Sequence, residues 1–121
     1  MPILDVELVG PVSDAIRSGL ALRIADAAGR VFGSPTGSTW VKLRVLPAAD
    51  YAENGGLPEG VLPVFVSVLR RELPQRDEMA REAALLCTAV AQACGRAPES
   101  VHVLYEPAAA GRIAFGGRLR E

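Results

Sequence analysis

The sequence repeats itself after 60 or 61 residues. Three separated features recur at this offset: a proline in front of an apolar run, a strand-like stretch that ends in proline, and a pair of glycines. The matched positions are Pro2 and Pro63, 41–47 and 101–107, and 55–56 and 116–117. A constant offset over three features indicates one supersecondary unit, duplicated and fused. We therefore predict a single domain over 1–121, built from units 2–61 and 62–121.

Each unit has the order strand, helix, strand. In the middle of each unit, apolar side chains recur at helical spacing, and a glycine follows each apolar stripe where a helix commonly ends. Ser13 or Asp14 can cap the first helix, and residues 75–78 supply the first turn of the second. The expected strands are Ile3–Val9, Trp40–Leu46, Val64–Arg70 and Val101–Glu106.

A unit of this kind is a βαβ crossover, in which the two strands run parallel. Two copies predict an α+β fold, with a four-stranded sheet and two helices on one face. The first strand of each unit carries more apolar residues than one helical layer needs, so we expect the other face to pack against further subunits. The apolar residues concerned are Leu4, Val6, Leu8, Val64, Val66 and Val68.

The charge balance disfavours a highly charged partner. The 121 residues include 13 Lys and Arg against 14 Asp and Glu, and the longest basic run is Arg70-Arg71. Neither nucleic acid nor an anionic membrane is an expected partner. The first residues do not read as a signal peptide, and the longest weakly polar stretch, 83–94, is too short to span a bilayer. We expect a cytoplasmic protein.

Cysteine and histidine predict neither a disulfide nor a metal site. Cys87 and Cys94 are seven residues apart on an expected helix, which separates their Cα atoms by about 10 Å, beyond disulfide reach. His102 is the only histidine. No Cys/His cluster therefore has the spacing of metal ligands.

Both ends of the chain resemble the tautomerase superfamily. The resemblance rests on P-I-L-D-V-E-L-V-G at the start and A-P-E-S-V-H-V-L-Y-E-P-A-A-A-G-R-I-A-F-G-G-R-L at the end. This superfamily is typified by 4-oxalocrotonate tautomerase and includes macrophage migration inhibitory factor, chloroacrylic acid dehalogenases and malonate semialdehyde decarboxylase. The doubled βαβ pattern is similar to its longer, fused members. The resemblance implies a homotrimer that needs no cofactor.

The resemblance also implies that Pro2 is the catalytic base. Removal of Met1 would leave Pro2 with a free secondary amine on a rigid ring. An α-amine titrates near about 8 in water, and desolvation and nearby cations disfavour its protonated form. Pro63 is inside the chain, where its nitrogen is an amide, and is interpreted as a remnant of the duplication. A purely structural proline at a strand start is the alternative for Pro2.

Substrates of the superfamily carry a carboxylate beside a carbonyl or enol, which requires cations in the site. Arg70 and Arg71 lie where the dehalogenase and decarboxylase members keep paired arginines. Because adjacent strand residues face opposite sides, we expect only one of the two, Arg70 by preference, to reach the pocket. Lys42 and His102 match the position of a substrate-binding arginine, and Arg44 shares a strand face with Lys42. Ordinary polar strand residues are the alternative for all of these.

Three more residues are pocket candidates by the same resemblance. Tyr51 matches a pocket aromatic, Glu53 lies near the place of a water-activating glutamate, and Trp40 could form a wall. A turn glutamate and an interface aromatic are the alternative interpretations. Where many tautomerases have Gly-Arg after the first strand, this chain has Gly10-Pro11. A dicarboxylate would therefore lose one of its cationic contacts.

The resemblance implies a tautomerase that moves a proton on an enol or α-keto carboxylate through Pro2. Two alternatives stay open. One is a hydratase, dehalogenase or decarboxylase acting on a small unsaturated or β-keto acid, which requires Glu53 to activate water. The other is a small-ligand-binding module without catalysis.

Overall fold

The structure, a computed structural model, describes residues 2–56, 59–60 and 62–121. These residues form six strands and three α-helices, with short 3₁₀ turns at Ala48–Asp50 and Pro98–Ser100. The elements are β1 (Ile3–Val9), α1 (Asp14–Arg17), α2 (Leu20–Phe32), β2 (Trp40–Leu46), β3 (Val64–Leu69), α3 (Arg76–Cys94), β4 (Val101–Tyr105), β5 (Ile113–Phe115) and β6 (Arg118–Arg120).

Four strands form one sheet in the order β2-β1-β3-β4. Within each unit the strands are parallel, as a βαβ crossover requires. The two first strands meet antiparallel at the centre, where Val6 lies opposite Val66 and Ile3 opposite Leu69. The predicted α+β fold, with two fused βαβ units in one four-stranded sheet, is confirmed. Because β1 and β3 run in opposite directions, the start of β1 and the end of β3 share one end of the sheet.

The core lies between the sheet and the helices. Alternate residues of β1 and β3 point to the helix side, because side chains alternate along a strand. They pack with the inward faces of α2 and α3, including Leu20, Ile24, Leu86 and Val90. Cys94 is buried in the same core, and this burial raises the pKa of its thiol to about 11.

The sequence-based argument for an apolar second face of the sheet is wrong. The surplus apolar residues were expected to cover the free face of the sheet, yet all six are buried on the helix side: Leu4, Val6, Leu8, Val64, Val66 and Val68. The opposite face, which we call the open face, is mixed rather than apolar. Its positions on the four strands are Ile3, Asp5, Glu7, Trp40, Lys42, Arg44, Phe65, Ser67, Leu69, His102 and Leu104.

The helical segment of the first unit is interrupted, although one continuous helix was expected. Ser13 Oγ accepts a hydrogen bond from the backbone N–H of Ile16 at 3.2 Å and caps α1. Gly19 then adopts a left-handed conformation, with φ of 67°, which glycine tolerates without a steric penalty. The Arg23 side chain bridges the break by donating to the backbone oxygens of Ile16 and Ser18.

Strand β3 ends one residue earlier than expected, at Leu69. Arg70 and Arg71 therefore follow the sheet instead of belonging to it. Their backbone oxygens accept hydrogen bonds from the N–H groups of Ala109 and Ala110, at 2.9 and 3.0 Å. The segment after β3 is thus tied to the segment that leads into the C-terminal hairpin.

The terminal glycine pair forms the turn of a β-hairpin. Strands β5 and β6 pair antiparallel, and Gly116 and Gly117 both have positive φ, the requirement of a two-residue hairpin turn. The hairpin places the Phe115 ring against that of Trp40, with centroids 5.4 Å apart and planes at 82°. Within the described ranges, no helix is long and apolar enough to cross a membrane.

Candidate active site

A hollow of about 400 Å³ opens where β1 begins and β3 ends, and we call it the Pro2 hollow. Its lining consists of Pro2, Arg70, Arg71 and Glu72. Pro2 is buried, and its carbonyl oxygen accepts a hydrogen bond from the Trp40 backbone N–H at 3.0 Å. The antiparallel pairing of β1 with β3 therefore brings the expected base and both arginines to one place.

Both arginines line this hollow, although only one was expected to reach it. The expectation assumed that the strand continued through Arg70, so that successive side chains would face opposite sides. Because β3 ends at Leu69, that alternation does not apply to Arg70 and Arg71.

Arg70 is held by a carboxylate from α3. Its Nη1 lies 2.5 Å from Glu82 Oε1, and its guanidinium carbon lies 5.4 Å from the centre of the Phe32 ring. The second oxygen of Glu82 accepts a hydrogen bond from the Tyr105 hydroxyl at 2.6 Å. Burial, together with this hydrogen bond, raises the pKa of Tyr105. Tyr105 is therefore a neutral hydrogen-bond donor throughout the physiological range.

Arg71 is more exposed and has a different kind of partner. Its Nη2 donates to the backbone oxygen of Glu121 at 2.6 Å. None of the salt bridges between side chains of the described residues includes Arg71. The Arg71 guanidinium is thus held by the main chain at Glu121, whereas Arg70 is held by a side-chain carboxylate.

A second hollow of about 470 Å³ adjoins the first and shares Arg71 with it. Trp40 and Phe115 form an aromatic wall, which the hydrogen bond from Trp40 Nε1 to the Gly37 oxygen at 2.9 Å helps to orient. The other lining residues are Ile3, Gly37, Ser38 and Arg120. We call this the aromatic slot. It offers an apolar surface directly beside a cation.

Lys42 and Arg44 lie on the open face and are paired with carboxylates of β1. Arg44 Nη1 is 2.8 Å from Asp5 Oδ1 and its Nε is 3.6 Å from Glu7 Oε2, while Lys42 Nζ is 3.5 Å from Asp5 Oδ2. Neither cation lines the Pro2 hollow. The structure therefore does not bring them together with Pro2 of the same chain.

Tyr51, Glu53 and His102 gather at the opposite end of the sheet. The rings of Tyr51 and His102 lie 5.9 and 5.6 Å from that of Phe65, and the Tyr51 hydroxyl donates to Glu53 Oε2 at 2.6 Å. That hydrogen bond is the main cause of the raised pKa of Tyr51.

The strand register shows how far this aromatic group is from Pro2. Phe65 pairs with Glu7, four positions beyond Ile3, a distance of about 13 Å along the strand. The Pro2 hollow of the same chain is therefore out of reach of Tyr51, Glu53 and His102. These side chains could line only the Pro2 hollow of another subunit.

Sequence reasoning missed several residues around the two hollows. Glu72 and Glu82 carry no local motif, and Tyr105 was interpreted as a strand residue without a role. Phe115 could have been found from the repeat, because it directly precedes the glycine pair that builds the terminal hairpin. Across the described part of the chain, no group of three or more His, Cys, Asp or Glu side chains is placed to hold a metal ion.

The hydrogen bond from Tyr105 to Glu82 predicts a loss of stability at alkaline pH. The pKa of Tyr105 is raised in the folded protein above the value of about 10 in an unfolded chain. The contribution is therefore complete below pH 10 and is lost as the pH rises through the folded pKa. Urea unfolding at pH 9 and pH 11 should show a smaller decrease for Tyr105→Phe than for the wild type. Equal decreases in both proteins would contradict this role of the phenol.

Comparison with solved structures identifies the fold, whereas comparison of sequences identifies no family. No protein-family model matches the chain, and no curated protein matches it significantly. Among solved structures, a fused 4-OT described as a wild-type symmetric trimer (Q0) superposes with a TM-score of 0.80 at 21% identity, over 98% of this chain and 94% of that one.

Two further structures are similar. Pt0534, inactivated by 2-oxo-3-pentynoate, has a TM-score of 0.80 at 19% identity, covering 98% of this chain and 95% of that one. FG41 malonate semialdehyde decarboxylase, inhibited by 3-bromopropiolate, has a TM-score of 0.72 at 21% identity, covering 94% and 88%. The chain therefore has the fold of the fused 4-OT structures over nearly its whole length.

Proposed function

We propose that the protein is a tautomerase-superfamily enzyme in which Pro2, freed by removal of Met1, acts as a general base on an enol or α-keto carboxylate. One observation carries the proposal: Pro2 is buried in a hollow that it shares with two arginines. The fold shared with fused 4-OT structures supports it.

The proposed reaction needs a neutral amine and a fixed positive charge. The Pro2 nitrogen takes a proton from the enol hydroxyl, or from the carbon next to the carbonyl, and returns it elsewhere on the conjugated system. Arg71 binds the carboxylate, and the field of the arginines stabilises the developing enolate. The burial of Pro2 disfavours the protonated amine, which favours a neutral base near pH 7. No cofactor has a part in this proposal.

The aromatic slot indicates the shape of the substrate. It shares Arg71 with the Pro2 hollow, so a carboxylate bound at Arg71 would allow an apolar substituent to lie against Trp40 and Phe115. We therefore favour α-keto monocarboxylates with an aromatic or apolar group over dicarboxylates. The absence of an arginine at Gly10-Pro11 agrees with this preference.

Hydration or decarboxylation is the second candidate, and Glu72 is the observation that favours it. Hydration needs a second group besides Pro2, because a water molecule has to be activated. Glu53 was the sequence candidate, but it bonds to Tyr51 at the far end of the sheet, whereas Glu72 lines the Pro2 hollow. A related structure is described as a basis for the decarboxylase and hydratase activities of malonate semialdehyde decarboxylase. In this candidate, Glu72 replaces Glu53 as the group that activates water.

We also propose that the chain assembles as a homotrimer through its open face. Trp40 and Leu104 are 51% and 63% exposed on this face, while its main charges are already paired within the chain. Such a surface can be buried without leaving unpaired charges. The fused 4-OT structures with this fold are described as trimers. Light scattering should give the mass of three chains, and a monomer at micromolar concentration would refute the assembly.

The proposed function is tested by comparing two forms of the same protein. One form keeps a cleavable segment in front of Pro2, so that the Pro2 nitrogen is an amide, and the other exposes Pro2 after cleavage. Ketonisation of the enol of phenylpyruvate is followed by absorbance, with halide release from a 3-haloacrylate as the assay for the second candidate. We expect only the cleaved form to accelerate ketonisation. Equal rates for both forms would refute Pro2 as the base and leave the ligand-binding module as the better account.

A further inference from the structure

We infer that Glu82 is a positioning residue that fixes Arg70 and cancels most of its charge, and so sets the basicity of Pro2. The inference rests on the proposed function of the Pro2 hollow. It assigns a distinct role to Arg70, the first of two adjacent arginines that both line the hollow.

The geometry around Glu82 leaves its carboxylate little freedom. One oxygen contacts Arg70 Nη1 at 2.5 Å and the other accepts from the Tyr105 hydroxyl at 2.6 Å. Only 12% of the Glu82 side chain is exposed. A carboxylate with both oxygens engaged and little access to water is held in one orientation, and charge-assisted bonds of this kind are the strong ones. The Phe32 ring limits Arg70 from another side.

The pair also changes the field that Pro2 experiences. Arg70 is 28% exposed, so bulk water screens its interaction with Glu82 less than it would at an open surface. At the distance of the Pro2 nitrogen, the ion pair acts as a dipole rather than as a full positive charge. The field at Pro2 therefore depends on Glu82 as well as on the charged residues that line the Pro2 hollow.

The other titratable groups nearby do not supply a replacement for Glu82. Tyr105 is neutral because burial and Glu82 raise its pKa. Cys87 lies on α3 beside Tyr105, and its pKa is raised by burial, so its thiol is neutral as well. Arg120 lines the adjoining aromatic slot, and Glu121 meets Arg71 through its backbone oxygen. Glu82 is therefore the acidic side chain that balances Arg70.

Removing one or the other charge of the pair should move the basicity of Pro2 in opposite directions. In the plot of kcat/KM against pH, we call the rise at low pH, where the Pro2 amine loses its proton, the acid limb. In Glu82→Gln, Arg70 presents its full charge to the amine, and the acid limb should shift to lower pH by roughly one unit. In Arg70→Gln, an uncompensated Glu82 favours the protonated amine, and the limb should shift to higher pH. The double variant should return the limb to its wild-type position.

The experiment measures kcat/KM for enol ketonisation from pH 5 to 9 in these variants of the full chain, with Tyr105→Phe as the matched control. That control loses a hydrogen bond to the same carboxylate but keeps the charge, so its acid limb should not move. Melting temperatures identify any variant that does not fold. If Glu82→Gln fails to fold, the upward shift in Arg70→Gln decides the question alone.

An acid limb that stays in place in every folded member of this set would overturn the inference. If the proposed function itself were wrong, the pH profiles would differ in another way. In that case the wild type itself would lack an acid limb that depends on Pro2, and Pro2→Ala would give the same profile as the wild type.

Discussion

Replacement of Pro2 by alanine is expected to lower kcat/KM for enol ketonisation by about 10²–10⁴-fold, the usual contribution of a positioned general base. Alanine keeps an α-amine but loses the ring that fixes φ and holds the nitrogen in the Pro2 hollow. The remaining primary amine can move away from the substrate. The variant is assayed by absorbance at saturating and limiting substrate, so that kcat and KM are separated.

Pro63→Ala is the matched control for this result. Pro63 occupies the corresponding place in the second unit and is fully buried, but its nitrogen is an amide. Its carbonyl oxygen accepts a hydrogen bond from the Val9 N–H at 3.0 Å, and an alanine carbonyl can do the same. We expect lower stability with kcat/KM within a few-fold of the wild type. A comparable loss of activity in both variants would show that the effect at Pro2 is structural.

Replacement of Arg71 by alanine should raise KM by roughly 10–100-fold. A hydrogen bond to a charged group contributes about 1.5–3 kcal/mol, and each 1.4 kcal/mol corresponds to a factor of about ten in affinity. Arg71→Lys should recover part of the loss, because lysine restores the charge without the bidentate geometry of a guanidinium. Initial rates over a range of monocarboxylate concentrations give both constants.

Arg120 provides the comparison for Arg71. Both side chains line the aromatic slot, but only Arg71 also lines the Pro2 hollow. Arg120→Ala should therefore change KM by less than about threefold, in keeping with a solvent-exposed charge. A larger effect at Arg120 than at Arg71 would mean that the carboxylate binds in the aromatic slot and would refute the assigned role.

The fold could be predicted because its signals are local and occur twice. Alternating apolar residues in β1 and β3, helical spacing in α3, and glycines at the helix ends each indicate one element. The repeat then shows that the two units are alike. The break at Gly19 was missed because the apolar spacing continues through it, from Ile16 to Leu20 and Ile24, while the chain turns in a left-handed conformation.

The site was harder to predict because it depends on how the two units pair. Pro2, Arg70 and Arg71 were grouped through the resemblance to the tautomerase superfamily, which implies a base at Pro2 and arginines after the first strand of the second unit. Glu53 follows β2, whose parallel pairing with β1 puts it at the far end of the sheet, whereas Arg70 and Arg71 reach Pro2 through the antiparallel pairing of β1 with β3. Periodicity within one element cannot encode that pairing.

The partners of Arg70 were missed for a related reason. Glu82 is one of several acidic residues on α3, and its importance comes only from the tertiary contact that brings it between Arg70 and Tyr105. No local pattern distinguishes it from the exposed Glu78. Contacts between elements that are distant in sequence become visible only when the strands and helices are packed together.

The most direct test of the account is a titration of the Pro2 nitrogen by NMR in protein labelled with ¹⁵N-proline. We predict that this nitrogen gives an amine resonance that titrates with a pKa below about 8, the value of an α-amine in water, because burial of Pro2 disfavours its protonated form. An amide resonance that does not titrate, or a pKa well above that of a free amine, would contradict the claim that Pro2 is a neutral base at physiological pH.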